Sequence, residues 1–408
     1  MDRRTLLKTF GAAIPFFALP ETLHAQSKAP RLKITDIKVF PIKVVREIGI
    51  FESAFHTPPS PIPVRVGGGS ITEIYTDQGV TGFGPGISAA DLAVVKSRLV
   101  GKDPLDIGLH ARLLQLLGRP GYNAEIALWD LIGKACNQPL AKLWGGGLDR
   151  LMPYGATLGI EGGAEGRARA ALQIKAAGFK GAKMRSSFPT MKEDIEMMVK
   201  VRKAVGDDFI LLTDANKAGP YANTQLTDLW DFQRAVTTAK AYEDLGLYWL
   251  EEPLDKNDYE GLKKLRAAVP KLRLAGGELQ DTLYEYRAYL ENDSYDILNC
   301  DVSNCGVTMW KQVADMALAH NKYIVPHASG MLGVAAHIHL AASQPQVAYG
   351  NMDRRPHIEI QENPPYQNFK EQWSIFTNPP SLDKEGYIPV PTEPGLGITI
   401  QPDLIIRT

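Results

Sequence analysis

Phe209-Ile-Leu-Leu-Thr-Asp214, Leu247-Tyr-Trp-Leu-Glu251 and Leu272-Arg-Leu-Ala-Gly-Gly-Glu278 share one pattern: a short apolar run that stops at a carboxylate. Stretches with helical apolar spacing lie between them, so this part of the chain reads strand, helix, strand, helix. Repeated units of that kind build a parallel α/β barrel whose site lies at the C-terminal ends of the strands. One acidic residue at a strand end is commonly a helix cap. Three on successive strands read instead as a metal site, formed by Asp214, Glu251 and Glu278. Carboxylate oxygens suit Mg2+, which takes a few of them and leaves positions open to substrate oxygens. Neither Cys nor His belongs to the set, which argues against zinc.

Working outward, the same grammar continues on both sides. A first strand spans Tyr154 to Ile160, and Gly181-Ala-Lys-Met-Arg185 makes a second. Alternation puts Lys183 and Arg185 on one face. They are a solvated pair or ion-pair partners of Glu278, or they recognise a substrate carboxylate, with Lys183 also able to move a proton. Asn216, two residues beyond Asp214, faces the same side and is a candidate substrate-binding residue, while Glu252 points away. Tyr295 to Cys300 ends at Asp301, and Lys322 to Pro326 ends at His327. Alone, His327 would read as a buried, hydrogen-bonded histidine. With Asp301 ending the preceding strand, an Asp–His pair emerges in which the carboxylate fixes the tautomer and raises the imidazole towards a working base.

The 408 residues divide into four parts: an export signal over 1–25, an α+β capping domain over 26–150, the barrel over 151–355, and a C-terminal segment over 356–408 that returns to the cap. Within the cap, Leu32–Val45 reads as a strand, and Ser70–Tyr75 with Val80–Phe83 reads as a hairpin. Helices follow around 89–99, 105–117 and 123–135. Ile48 to Pro63 shows no clear period and reads as a long loop of the kind that forms lids. At the N-terminus, Arg3-Arg4 precedes an apolar stretch too short to span a bilayer, and Leu23-His-Ala25 offers a cleavage site. This is a twin-arginine pattern, implying export, a periplasmic location and no membrane anchor in the mature form. A net charge of -1 without a basic run gives no electrostatic case for nucleic acid. Three cysteines, an odd number, argue against a disulfide framework; Cys136 reads as a buried small hydrophobe, and Cys300 and Cys305 as structural thiols that could also bridge.

Asp214-Ala-Asn216, Trp249-Leu-Glu-Glu-Pro253, Ala275-Gly-Gly-Glu278, Asp301-Val-Ser-Asn-Cys-Gly306 and Val325-Pro-His327 together resemble the ordered signature of the mandelate racemase branch of the enolase superfamily. Asn123-Ala-Glu-Ile-Ala-Leu-Trp-Asp130, Leu143-Trp-Gly-Gly146 and the tail around Gly386–Gly397 are similar to that family's cap and C-terminal motifs. The resemblance covers roughly Leu32 to Gln401. It implies a modified (β/α)7β TIM-like barrel with an N-terminal α+β cap, Mg2+ as cofactor, and removal of the proton α to a carboxylate to give an enediolate. His327 and Asp301 would supply the base, with Lys183 and Arg185 beside it. Two departures stand out. A second lysine common in the family is Arg185 here, a poor base. The glutamate usual near the histidine is replaced, on this reading, by Asn351, which is then a candidate substrate-binding residue. Both favour one-sided chemistry over racemisation. The expected activity is dehydration of an acid sugar or related polyhydroxy carboxylate by β-elimination, with epimerisation, racemisation or lactone cycloisomerisation as rivals. Outside the family's chemistry the rivals are a non-catalytic exported binding protein and a paired-carboxylate glycosidase. A small-molecule carboxylate and other copies of the chain, as a homo-oligomer, are the expected partners.

Overall fold

The structure is a computed structural model that describes residues 31–55, 59–159, 162–219, 229–328, 330–344 and 356–407. The leader read over residues 1–25 lies outside the described residues, as does Asn351. Among the described residues no helix is long and apolar enough to cross a membrane.

Five strands open the chain: β1 (Ile34–Pro41), β2 (Val44–Glu52), β3 (Pro61–Gly67), β4 (Ser70–Thr76) and β5 (Thr81–Pro85). An antiparallel sheet has the order β1-β4-β5, and among the described residues β2 pairs only with β3. The single strand expected over Leu32–Val45 is thus two, and most of the loop expected over Ile48–Pro63 is a hairpin. The reason is legible in the ladder. The β2–β3 register shifts between Val44 and Arg46 and again between Glu47 and Gly49. Such bulges break the alternation that marks a strand in sequence.

Helices α1 (Ala89–Leu99), α2 (Ile107–Gln115), α3 (Arg119–Ala135) and α4 (Leu140–Leu143) complete the cap. Helix α3 lies directly on β5 because Gly82 and Gly84 have no side chains. A Cβ at Gly82 would come within 2.4 Å of Ala127 O, and one at Gly84 within 2.7 Å of Ala127 N. The polar residues of the 123–130 motif each fasten α3 to a different element. Asn123 Nδ2 donates to Gly86 O at 2.9 Å. Asp130 accepts from Phe83 N at 2.9 Å and from Leu396 N, in the tail, at 2.8 Å. Glu125 crosses to the barrel, accepting from Thr308 N at 2.8 Å.

From Arg150 the chain follows β6 (Arg150–Leu151), β7 (Pro153–Ala156), α5 (Gly163–Ala176), β8 (Gly181–Arg185), α6 (Met191–Val205), β9 (Ile210–Asp214), α7 (Phe232–Asp244), β10 (Trp249–Glu251), α8 (Tyr259–Ala268), β11 (Arg273–Gly276), α9 (Leu283–Glu291), β12 (Ile297–Leu298), α10 (Val302–Ala319), β13 (Tyr323–Ile324), α11 (Met331–Ala342) and β14 (Ile358–Gln361). The eight-stranded parallel sheet runs β13-β12-β11-β10-β9-β8-β7-β14. Strands consecutive in the chain stand at its two ends, the order of a barrel opened along one seam. Strand β14 pairs in parallel with β7, so the barrel sheet extends to Gln361, beyond the boundary expected at 355. Two apolar layers flank the sheet. Tyr154, Leu212, Trp249, Ala275, Ile297 and Val325 fill the inside. Ala182, Met184, Leu211, Leu250, Leu274, Leu298 and Ile360 face the helices.

Beyond β14 the chain forms α12 (Phe369–Gln372) and returns to the cap. Ile405 bridges Ile42, and Gly395 bridges Pro139. Cys300 and Cys305 are free thiols, both buried, whereas Cys136 is exposed, against the burial expected for it. Cys136 ends up exposed because it is the C-cap residue, just past the buried face of α3.

Candidate active site

Because side chains alternate along a strand, the inner apolar residues fix which polar ones share their face. Leu212 points inward, so Asp214 does; Trp249 carries Glu251 with it, and Val325 carries His327. Ala182 and Met184 face the helices, leaving Lys183 and Arg185 to the inside. The same parity turns Glu359 inward between Ile358 and Ile360.

Asp214, Glu251 and Glu278 offer ligand atoms that all lie within 4.8 Å of one another, and all three are buried. Two cations brace them. Lys183 Nζ sits 3.1 Å from Glu251 Oε2, 2.9 Å from Glu359 Oε2 and 3.8 Å from Asp214 Oδ2. Arg185 pairs with Asp214, and donates from Nη1 to Asn216 Oδ1 at 3.0 Å and from Nε to Thr157 O at 2.9 Å. Asn216, in the left-handed region at φ 51°, returns its Nδ2 to Asp214 at 3.0 Å. Both of its amide atoms hold the site's own residues, so in this structure Asn216 orients Asp214 and Arg185. Glu251 is further fixed by Trp249 Nε1 at 3.2 Å, and Glu359 by Tyr154 OH at 3.1 Å.

His327 Nδ1 is 2.9 Å from Asp301 Oδ2, and its Nε2 is 3.4 Å from Glu278 Oε2. The structure thus brings the expected dyad together and sets it against the third carboxylate. Asp301 is also the N-cap of α10, its Oδ1 accepting from Ser303 N at 2.8 Å. Behind it, buried His337 accepts from Val302 N at 3.0 Å. Burial holds the His337 imidazole down at about 4, so it is neutral.

Charge in this pocket is unbalanced. Asp214, Glu251, Glu278, Asp301 and Glu359 confront two permanent cations and one imidazole. Burial pushes Glu251 up to about 8 even though Lys183 pulls the other way, and burial likewise raises Glu278. Glu359 is lowered, because Lys183, His327 and Arg185 outweigh the opposing effect of its burial. His327 is raised to about 10: burial pulls it down, but Glu278 and Asp301 more than reverse that. Glu278 Oε2 is buried without a hydrogen bond among the described residues. An all-oxygen donor set, an orphaned carboxylate oxygen and an excess of negative charge together fit a hard divalent cation.

The sequence reading missed Glu359 and expected no carboxylate near His327 in the last part of the barrel. The structure supplies one from β14, a strand that the boundary at 355 had cut away. Its signal was the alternation of Ile358-Glu-Ile-Gln361. Nor do Lys183 and Arg185 partner Glu278; their ion pairs go to Glu251, Glu359 and Asp214.

The cap's hairpin approaches this mouth. Ser53 bridges Gly159, and Ala54 N donates to Leu158 O at 2.7 Å. The Phe55 ring centre lies 5.9 Å from the Arg185 guanidinium carbon. The tail contributes Tyr366, 6.3 Å from Phe51 between ring centres, and Glu371, paired with Arg46.

Residues 166–404 match the family described as enolase C-terminal domain-like. The chain is 29% identical over 295 residues to the L-talarate/galactarate dehydratase of Salmonella typhimurium, covering 67% of this chain and 70% of that protein. It is 27% identical over 358 residues to the arabinonate dehydratase of Saccharolobus solfataricus, covering 81% and 87%. Among solved structures, the 3,6-anhydro-D-galactonate cycloisomerase of Zobellia galactanivorans superposes with a TM-score of 0.71 at 25% identity, over 92% of this chain and 100% of that one. A barrel of parallel strands with three inward carboxylates, joined to an α+β cap and matched over more than half its length, identifies the chain as an enzyme of the enolase C-terminal domain-like family, in its mandelate racemase branch.

Proposed function

We propose that the enzyme is a Mg2+-dependent dehydratase of an acid sugar, working by α-proton abstraction and β-elimination through an enediolate. The observation that carries this reading is the asymmetry of the bases. His327 is the inner-rim base with its ring partly open to the mouth and a carboxylate fixed behind it. On the other side stand Lys183, fully buried and held charged by Glu251 and Glu359, and Arg185, which stays protonated. Two-base racemisation has no neutral partner there. Glu359 is tied up in its ion pair with Lys183, so the two buried cations are what disfavour a second base.

Asp214, Glu251 and Glu278 would hold the cation. When bound, Mg2+ supplies Lewis acidity at the substrate carboxylate and lowers the cost of charge developing there. The remaining work belongs to the chain. Asp301 accepts a hydrogen bond from the Nδ1–H of His327, which leaves Nε2 to take the proton from Cα. With the charge of Glu278 taken up by a cation, the His327 imidazole would be lowered towards its neutral, proton-accepting form, since Glu278 is the first of the groups holding it up, ahead of Asp301 and Glu359. Arg185 and Lys183 face the growing negative charge as fixed, desolvated cations. The electron pair left at Cα then expels the β-hydroxyl, which departs as water with the proton that His327 carries. The resulting enol becomes the 2-keto-3-deoxy acid.

The hairpin tip with Phe55, and the tail around Tyr366, are proposed to close over the mouth and select the substrate's distal end. The twin-arginine pattern of residues 1–25 supports export before the enzyme works.

Similarity to the cycloisomerase from Zobellia galactanivorans favours one second reading, ring closure or opening from the same enediolate. A panel of acid sugars assayed for 2-keto product, with and without EDTA, tests both. Dehydration that stops with EDTA and returns with Mg2+ is expected. Deuterium uptake from solvent with no loss of water would sink the dehydratase, and metal-independent glycoside hydrolysis would overturn the family chemistry here.

A further inference from the structure

Cys300 and Cys305 take no part in the chemistry described above, yet they flank one of its residues, Asp301. Cys300 directly precedes Asp301, and Cys305 lies in the first turn of α10. Their Sγ atoms are 3.2 Å apart, about 1.2 Å beyond the bonded distance. Between them the backbone makes one closed turn. Asp301 O accepts from Cys305 N at 3.0 Å, and the Asp301 carboxylate caps the same turn. Gly306 ends it at φ 75°, where a Cβ would strike Glu125 and Tyr122 from the cap. A cavity of about 340 Å3 between α2, α3, α9 and α10 has Cys305 in its wall, beside Arg112, Gln115, Tyr122, Glu125 and Met309.

Two buried thiols in contact are ordinary core packing, and nothing in their burial alone calls for chemistry. What sets this pair apart is direction and place. Each sulfur points at the other, and the residue that orients His327 lies inside the loop they would close. We propose that Cys300 and Cys305 form an oxidisable dithiol that closes to an intrachain disulfide, and that closure shifts Asp301 relative to His327.

With hydrogen peroxide as the two-electron oxidant, one thiol sulfur attacks the O–O bond to give a sulfenic acid and water. The second sulfur displaces hydroxide from the first, which leaves as water with the second thiol's proton. Two thiols and one peroxide thus become one disulfide and two waters. The cavity beside Cys305 gives a small oxidant its approach. Burial pushes the Cys305 thiol well above its ordinary range, so the pair reacts more slowly than an exposed thiolate.

The bond itself can be tested without any assumption about activity; its consequence for turnover rests on the function proposed above. The full chain carrying Cys136→Ser, which removes the exposed thiol, is treated with hydrogen peroxide, denatured and alkylated. The expected product is lighter than the reduced protein by two hydrogens and takes no alkyl group, and dithiothreitol reverses the change. Two alkylated thiols, or sulfinic acids without the disulfide, would overturn the proposal. In the oxidised protein the His327 imidazole NMR signals are expected to shift and turnover to fall by up to about 100-fold, as ångström-scale misplacement of a catalytic group can. Cys300→Ser and Cys305→Ala are expected to abolish both responses. An intact disulfide with unshifted His327 signals would refute the link to Asp301, whatever the substrate proves to be.

Discussion

Replacing Lys183 with methionine isolates the electrostatics on which the site depends. Methionine keeps most of the volume and flexibility of the lysine stem, so the change removes a charge rather than packing. The ammonium is fully buried and touches the Glu251 and Glu359 carboxylates at 3.1 and 2.9 Å. Removing one partner of a buried ion pair costs about 3–5 kcal/mol, because Glu251 and Glu359 lose their directly bonded cation where water cannot replace it. Burial already favours the protonated form of Glu251, which tempers the charge left behind, so the lower end of that range is expected at pH 7. Urea unfolding in EDTA would read the deficit. In millimolar Mg2+ it is expected to shrink, because a dication among Asp214, Glu251 and Glu278 supplies charge where Lys183 supplied it. Turnover is expected to be lost in both conditions. Unchanged stability in EDTA, or the same deficit with and without Mg2+, would refute the reasoning.

Arg185→Lys is expected to keep part of the activity, falling about 10- to 100-fold as charge-assisted hydrogen bonds to Asp214 and Thr157 are lost; α-proton exchange from a second face in this variant would show that arginine alone makes the enzyme one-sided. Phe55→Ala is expected to raise KM roughly tenfold with little change in kcat, since about 1.5–3 kcal/mol of apolar contact is at stake; an unchanged KM on the preferred acid sugar would remove the hairpin tip from recognition. His339 joins cap, barrel and tail by accepting from Ala141 N at 3.2 Å and contacting Leu396 O at 3.0 Å. Burial depresses it to about 4 from 6.5, so its contribution is present above pH 6.5 and disappears as pH falls through about 4, at most about 3 kcal/mol. Unfolding curves from pH 7 to pH 4 should therefore be flatter for His339→Gln than for the wild type, and parallel curves would contradict this.

What could be read in advance was whatever strand parity fixes. Lys183, Arg185, Asp214 and Glu251 sit in strands of three to five residues flanked by apolar neighbours, and their inward direction followed from alternation. Glu278 and Asp301 lie just beyond their strands, but the turns that place them were marked by Gly277 and by the helix cap. Glu359 escaped because β14 follows a long connection and opens a segment rich in proline, which masked a four-residue strand. The β2–β3 hairpin escaped because two register shifts erase its period. Contacts set by tertiary packing left no local trace, and the facing of Cys300 and Cys305, the neutral His337 behind Asp301 and the Phe55 approach to Arg185 are of that kind. The exposed position of Cys136 shows the converse, since an apolar neighbourhood in sequence did not place it in the core.

In the proposed mechanism His327 removes the α-proton from a substrate held beside Asp214, Glu251 and Glu278. That step is tested most directly by following the Cα hydrogen of a dehydrated acid sugar in D2O with Mg2+ present, comparing wild type with His327→Asn. The wild type is expected to release the α-hydrogen with a primary isotope effect when deuterium is placed there. His327→Asn is expected to lose both exchange and product, by about 10²–10⁴-fold or more, while Mg2+ still binds in calorimetry. Undiminished α-proton removal in His327→Asn, with the loss appearing in Lys183→Met instead, would contradict the assignment of the base.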